Sequence, residues 1–521
     1  MHADHTDFAP VVTSHEAPRS FADELYDWMG RAPFLAIAFA VHLIGFLILS
    51  AIPWHTRTEE PKLVISAIMP PPPDAFEEPE EPLEPELDEP VVDEPLDFED
   101  VVDDPREFDS EDENDLDAVE SPFTSDQWND AIGPGGGAGG GAGANGRRGR
   151  RANGTDRATD RAVTSGLEWL KDHQADDGRW DCDGFMHDSR REGPLQDGGG
   201  DAAHDVGVTG LALLAFMGIG DTLRDGTFAP QINRGVSWLV RQQDKDSGRI
   251  GAGASHAHLY DHSIATLALC EALYGDPGNP VLKKVAQRAV HYISAARNPY
   301  GAWRYAVPPN GEQDTSVTGW MVFALSAARE AGLDVSDDDL LGALAWIEEM
   351  TDPVTGRTGY TETGGMSSRP EHLQDAYPAQ ESEAMTAVGM LSRLFVKKSL
   401  GSRVRAVDGL DEDAIEKGAA ILLESQPTWS DDGSTNDMYA WYYGSYAMHQ
   451  YAGRDERAWK AWKRSMEAAI LPNQRDDAPT YDGSWDPCGP WGHSGGRVYA
   501  TATMVLCLQV YYRYGNLMGA R

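Results

Sequence analysis

The stretch Gln174-Ala-Asp-Asp-Gly178-Arg-Trp180 closes a run that begins Ser165-Gly166-Leu167-Glu168-Trp169-Leu170-Lys171. Val163, Leu167 and Leu170 fall on one face at helical spacing, so an amphipathic helix ends in a Gln-x-x-x-Gly-x-Trp turn. The theme returns as Arg234-Gly235-Val236-Ser237-Trp238-Leu239 with Gln243 and Gly248. It returns again as Arg288-Ala289-Val290-His291-Tyr292-Ile293 with Gly301-Ala302-Trp303. Weaker copies start near Ala343-Leu344-Ala345-Trp346-Ile347, Lys417-Gly418-Ala419-Ala420-Ile421 and Met466. A supersecondary unit repeated along the chain means neighbours that bury one another's apolar faces.

Between the amphipathic helices lie runs that are apolar nearly all round, as in Val206-Gly207-Val208-Thr209-Gly210-Leu211-Ala212-Leu213-Leu214-Ala215-Phe216. A helix apolar on every side is buried on every side. Further inner helices are expected near 262–274, 315–329, 382–396, 438–451 and 498–513. About six outer–inner pairs predict an all-α fold for residues 158–521, an α/α toroid.

The rest of the chain is of another kind. Residues 1–31 form a polar leader. Residues 32–54 are almost wholly apolar, with one histidine, His42, and that length matches the ~20 residues of a membrane-spanning helix. Residues 55–157 are a disordered linker, first acidic and Pro-rich, then Gly-rich through Gly135-Gly136-Gly137-Ala138-Gly139-Gly140-Gly141. Of the net charge of -42, the span Glu59–Glu120 carries most, with 26 acidic residues against 2 basic ones. Such a segment cannot bury enough apolar surface to fold, and its like charges extend it. No basic stripe is present, which argues against a nucleic-acid partner. The expected placement is a bacterial-type inner membrane, single-pass, with the toroid on the exported side.

Two family resemblances follow from these residues. The span with His42 and Leu49, the segment Lys62-Leu63-Val64-Ile65-Ser66-Ala67-Ile68-Met69 and the acidic spacer resemble the TonB energy-transducing family. That resemblance implies a proton-motor membrane complex as a partner through His42. Gln174, Gly178 and Trp180 match the QW motif of the squalene–hopene cyclase and prenyltransferase repeat superfamily, which residues 158–521 resemble. In that superfamily the motif is structural and ties helix pairs together. Cyclases of the family draw a strong acid from an Asp-x-Asp-Asp-Thr motif. The nearest segment here is Gly311-Glu312-Gln313-Asp314-Thr315, with Gln313 where the donor would stand. The resemblance thus implies a cavity that binds an apolar isoprenoid-like or lipid ligand, a peptide or a glycan, without ordinary squalene cyclisation. The alternatives are an active cyclase-like enzyme with Asp314 as acid, or a zinc prenyltransferase, whose Asp-x-Cys is matched by Asp486-Pro487-Cys488.

The inner-helix N-termini point into the ring. They offer Asp314, Asp205, Asp261 and Glu383 as candidate catalytic acids, since a carboxyl kept protonated by burial can act as an acid. His204, His262, Trp320, Tyr439, Tyr442, Arg497 and Tyr499 are the expected cavity residues. Asp, Ser and Thr at helix starts are equally ordinary caps. A glycan-processing pair such as Asp205 and Glu383 is a further reading, by fold analogy alone.

Cys270 and Cys507 lie in apolar runs and read as inert thiols. Cys182 and Cys488 occupy equivalent turns of the first and last repeats, each followed five residues later by His187 and His493. Three readings stay open: a disulfide that locks the ring, a Cys2His2 zinc site, or two unrelated loop cysteines. No motif demands a cofactor, and zinc is the one these residues offer.

Overall fold

The computed structural model describes residues 157–513, apart from 254–256, 300 and 412. The expected leader, the span with His42 and the spacer up to residue 156 lie outside the described residues. Among the described residues no helix is long and apolar enough to cross a membrane.

Twelve helices alternate between two layers, followed by one short turn of helix. The outer ones are α1 (Arg157–Asp172), α3 (Ala229–Arg241), α5 (Pro280–Ala295), α7 (Asp337–Met350), α9 (Ala414–Glu424) and α11 (Glu456–Ile470). The inner ones are α2 (Asp205–Gly218), α4 (His258–Gly275), α6 (Thr315–Glu330), α8 (Ala384–Leu400), α10 (Met438–Tyr451) and α12 (Gly492–Leu508), and α13 is Val510–Arg513. Each inner helix packs on the next, and α12 packs on α2, so the inner layer closes. Among the described residues the fold is an all-α, six-pair α/α toroid.

The inner helices are buried almost throughout, as α2 shows with every residue from Val206 to Gly218 inside. The outer helices bury one stripe. In α1 it consists of Val163, Leu167 and Leu170, each fully buried.

The repeated turn explains the assembly. The Gln174 amide donates to the Gly178 carbonyl (2.8 Å) and to the Gln231 carbonyl of α3 (3.0 Å), the next outer helix. Gln243 does the same with Gly248 (3.1 Å) and Val285 of α5 (2.9 Å). Gln474 completes the circuit: it donates to Gly483 (2.9 Å) and to Ala162 of α1 (2.8 Å). The last repeat is therefore tied to the first by the bond that ties neighbours elsewhere.

The glycine of the turn is needed twice over. At Gly178 φ is +101°, and a Cβ would lie 2.3 Å from the Arg234 carbonyl oxygen of α3. At Gly483 φ is +92°, and a Cβ would lie 2.3 Å from the Ser165 oxygen of α1. Only glycine tolerates both the left-handed backbone and the contact. Gly248 and Gly356 repeat this geometry against Arg288 and Lys417.

The motif tryptophan plugs the gap between layers. Trp180, Trp303 and Trp485 are fully buried, and their indole N–H groups donate to the Leu170, Ile293 and Ile470 carbonyls at the ends of outer helices. Their backbone N–H groups donate to Thr209, Thr318 and Thr501 of the inner helices.

Repeats that lack the tryptophan fill its place by other means. In repeat 2, Ile250 stands there and His262 takes the role of the threonine. Its Nδ1 accepts from the Ile250 N–H (3.0 Å) and its Nε2 donates to the Ala289 carbonyl of α5 (3.1 Å). In repeat 4, the Arg393 guanidinium reaches Ile347 and Thr351 instead. In repeat 5, Trp462 of α11 enters from the outer layer, covers Gly444 and donates to Ser445 (3.1 Å).

Gly332 has φ +75° with nothing within 4 Å of a would-be Cβ, so it isolates the backbone cost from the contact cost. Gly332→Ala should lose about 1–2 kcal/mol for the left-handed backbone alone. Gly483→Ala should lose about 1–3 kcal/mol more, for the overlap with Ser165. Urea denaturation of the full chain checks this, and equal losses contradict the packing account.

Candidate functional site

The mouth of the ring is built by the inner-helix N-termini and by the residues two places beyond each motif tryptophan position. Those residues are Cys182, Tyr305, Tyr360 and Pro487. Their course is fixed by backbone ties. The Asp314 N–H donates to the Trp303 carbonyl (2.9 Å), and the Thr315 N–H donates to the Tyr360 carbonyl (3.0 Å). The start of α6 is thereby pinned between two turns, those that carry Tyr305 and Tyr360.

Asp314 is fully buried. One carboxylate oxygen caps α6 by accepting from the Val317 N–H (2.8 Å), and the other accepts from the Tyr360 hydroxyl (3.2 Å). The Tyr360 hydroxyl in turn meets that of Tyr305 (2.7 Å). Arg304 stands 3.8 Å from the same carboxyl. Burial dominates over these partners and raises the carboxyl to about 7. Next along α6, the Ser316 hydroxyl meets that of Tyr439 (2.7 Å). The Tyr499 hydroxyl and the Trp491 indole N–H are buried without a protein partner. Tyr439 packs near Trp491, with ring centroids 6.4 Å apart.

Below the mouth the interior is filled. Trp320 stacks on Tyr442 at 5.7 Å and meets Tyr443 edge-on at 5.5 Å. Tyr442 contacts Tyr446 at 4.8 Å, and Phe323 contacts Tyr443 and Phe395. These rings pack on one another, so Trp320 and Tyr442 belong to a plug beneath the site.

A second polar group stands at the same end. His204 Nδ1 lies 3.1 Å from both oxygens of Asp261. The carboxyl fits beside α2 because Gly207 leaves room: a Cβ there would be 2.3 Å from Asp261 Oδ1. The hydrogen bond to Asp261 raises the His204 imidazole above its usual value, while burial raises Asp261.

The other expected site residues lie elsewhere. His262 is not in the cavity: it is fully buried between α4 and α5, and burial lowers it to about 3. Arg497 is not in the cavity either. Its guanidinium bonds Asp197, Ser484 and Asp486 and lies 4.7 Å over the Tyr481 ring, knitting the first repeat to the last.

Asp205 and Glu383 each have partners of their own. Asp205 on α2 accepts from the Cys182 N–H (2.8 Å), and burial raises it to about 6. Glu383 precedes α8, half a ring away, and pairs with Arg357 at 2.7 Å.

Cys182 and Cys488 are free thiols, not a disulfide. The Cys182 sulfur lies against the Ser494 and Gly495 carbonyls, while the Cys488 sulfur accepts from Asn436 (3.2 Å). With His187 and His493 they form no zinc centre. Among the described residues the one group with metal-ligand spacing is Asp181, Asp183 and Asp205.

Tyr305, Tyr360, Arg304 and Arg369 were not anticipated. Arg369 sits in the long loop between α7 and α8, pairs with Asp437 at the start of α10, and has a side chain only 4 % exposed. The same loop brings His372 against His493, with ring centroids 5.5 Å apart.

No protein-family model matches the chain, and no curated protein matches it. Among solved structures it is similar to the α-1,6-mannanase GH76A of Salegentibacter sp. HEL1_6, an inactive variant in complex with α-1,6-mannotriose. That likeness has 10 % identity, a TM-score of 0.43, and covers 68 % of this chain and 99 % of the other. It is also similar to the type II terpene cyclase of Scytonema in complex with geranylgeranyl dihydroxybenzoate. There the identity is 13 %, the TM-score 0.41, and the coverage 68 % and 97 %. A second variant of that cyclase is 12 % identical, with the same TM-score and coverage. Both neighbours are α/α toroids, and the likeness is one of fold.

Proposed function

We propose that the toroid holds a compact, hydroxyl-rich ligand of the glycan class at its mouth, and that Asp314 gives a proton to it or takes one from it. The observation that carries this reading is the carboxyl–hydroxyl chain from buried Asp314 to half-buried Tyr360 and Tyr305, at 3.2 and 2.7 Å. A few convergent polar groups over an aromatic floor suit recognition of a polar ligand with fixed orientation. The buried, unpartnered groups of Tyr499 and Trp491 favour a ligand that supplies hydrogen-bonding atoms, since an unmet buried polar group is costly. A long isoprenoid would need the depth that Trp320, Phe323, Tyr442, Tyr443 and Tyr446 occupy. On this reading residues 32–54 hold the ring at a membrane on its exported side, and residues 55–157 give it reach. His42 would then meet the motor complex.

A carboxyl at about 7 exchanges its proton near neutral pH, which is what general acid–base work requires. The same property sets a stability profile. Unfolded, Asp314 titrates near the ordinary value of about 3.9. Between about 4 and 7 the folded chain keeps this proton and the unfolded chain does not, so stability falls as pH rises through that window and levels off above it. Asp314→Asn keeps a capping side chain. Its midpoint temperature should fall less steeply between pH 4 and 7 than that of the unaltered chain. Parallel profiles contradict the buried-acid assignment.

Ligand class is tested on the full chain in lipid nanodiscs by saturation-transfer NMR, with maltotriose, cellotriose and chitotriose set against geranylgeraniol and an empty-nanodisc blank. At least one oligosaccharide should show transfer. Tyr360→Phe should weaken it about tenfold, the worth of a hydrogen bond to a charged group. Transfer to geranylgeraniol alone overturns the reading.

A further inference from the structure

Repeat 5 breaks the pattern that seals the others. Gln426 begins its turn, but Trp429 follows three residues later and no left-handed glycine presses on α11. The Gln426 side-chain oxygen Oε1 accepts from the Ser465 hydroxyl (2.5 Å), so a tie to the next outer helix survives in altered form. On α10 the position that carries Thr209, Thr318, Thr386 and Thr501 elsewhere is Trp441, which has no hydroxyl to receive the turn. Trp462 fills the motif tryptophan's place from α11, and the turn 426–436 keeps only side-chain contacts with the two layers, Gln426 with Ser465 of α11 and Trp429 with Trp441 of α10 at 6.0 Å. The result is a cavity of about 300 Å³ between the ends of α8, α9 and α10, walled by Trp441 and Trp462 and roofed by Tyr377 and Arg369. A second cavity, about 620 Å³, lies inside the roofing loop and shares Arg369.

We infer that this repeat-5 cavity is a subsite for a neutral sugar ring, an inference that rests on the glycan reading above. Arg369 supplies the anchor. Its guanidinium bonds Asp437 and the Ser368 carbonyl, while its Nε–H is buried and has no partner. A buried guanidinium donor without an acceptor leaves an acceptor to be brought by the ligand.

Charge then selects the class. Glu381, Glu383, Glu424 and Asp437 line the cavity, and with Glu383 and Asp437 paired to arginines an anion still meets the carboxylates of Glu381 and Glu424 at the rim. An ammonium fares no better in the depth. There Asp437 is neutralised by Arg369 and Glu383 by Arg357, and the open Arg369 Nε–H would face it as a like charge. A neutral polyol satisfies both walls: its hydroxyls donate to the carboxylates and one oxygen accepts from Arg369. The volume is at the lower end of small-molecule sites, enough for one ring and not for an extended chain. At the end of the roofing loop the Ser382 hydroxyl donates to Asp437 at the start of α10 (2.7 Å).

The test uses an isosteric charge series on the full chain in nanodiscs: glucose, glucuronate and glucosamine, read by saturation-transfer NMR. Glucose should show the strongest transfer. Arg369→Gln should reduce it at least fivefold. Ala440→Leu, which fills the cavity without touching Arg369, should reduce it likewise with an unchanged circular-dichroism spectrum. Glucuronate or glucosamine binding better than glucose overturns the neutral-sugar assignment, as does glucose transfer unaffected by both cavity variants. If the trisaccharides of the preceding test bind and respond to Tyr360→Phe while the cavity variants change nothing, the subsite falls and the mouth reading stands. Loss in the cavity variants with no response of any trisaccharide to Tyr360→Phe has the opposite meaning.

Discussion

The amide of one glutamine, reaching from the end of an outer helix to a backbone carbonyl of the next, is the constraint on which this molecule depends. Outer helices end with carbonyls that lack intrahelical partners, and the turn that follows must bring the chain back to the inner layer. Gln174, Gln243 and Gln474 hold that turn by bonding its glycine carbonyl and the neighbouring outer helix together. The glycine lets the two backbones touch, and the tryptophan fills the wedge behind them. The bond from Gln474 to Ala162 gives the chain's last repeat the same relation to its first. Arg497 reinforces the seam from the mouth. At the opposite end Arg513 pairs with Glu271 in a fully buried contact and also bonds the Leu214 carbonyl.

A closed ring makes the mouth rigid. Tyr305 and Tyr360 belong to turns of different repeats, yet both are held against Asp314 because α6 is bonded to each turn through its backbone. A carboxyl can stay fully buried there because its polar partners are fixed: a cap N–H, a tyrosine hydroxyl and a nearby guanidinium. The aromatic plug closes the depth of the ring, so chemistry and binding are confined to the end where the inner helices begin. Helix N-termini favour negative charge, and burial opposes it. At Asp314 burial wins, which distinguishes it from the exposed acids of the turns.

Much of the fold was legible. Val163, Leu167 and Leu170 marked an outer face, the run from Val206 to Phe216 marked an inner helix, and Gln174, Gly178 and Trp180 marked the tie. The site was less so. Asp314 stood out as a helix-start acid, but its partners Tyr305 and Tyr360 come from turns that differ at the motif position itself, Trp303 in one and Thr358 in the other. The signal that could have found them is positional, two residues beyond each motif tryptophan. His262 misled because a histidine near a helix start reads as a cavity residue. In fact it compensates for Ile250 standing where a tryptophan belongs. Arg497 misled for a similar reason, since its position matches Asp205 and Asp314 by register while Asp197, Ser484 and Asp486 draw it into the seam. Trp462 shows the same physics: the space must be filled, and which layer fills it is not written in the local pattern.

Ring closure is tested most directly by hydrogen exchange on the full chain carrying Gln474→Ala. If the last repeat holds the first as neighbours hold each other, amides of α1 and α2 should lose protection together with those of α11 and α12, while α5 to α7 across the ring keep theirs. Loss confined to α11 and α12 would mean an open stack of helix pairs, and would contradict the account.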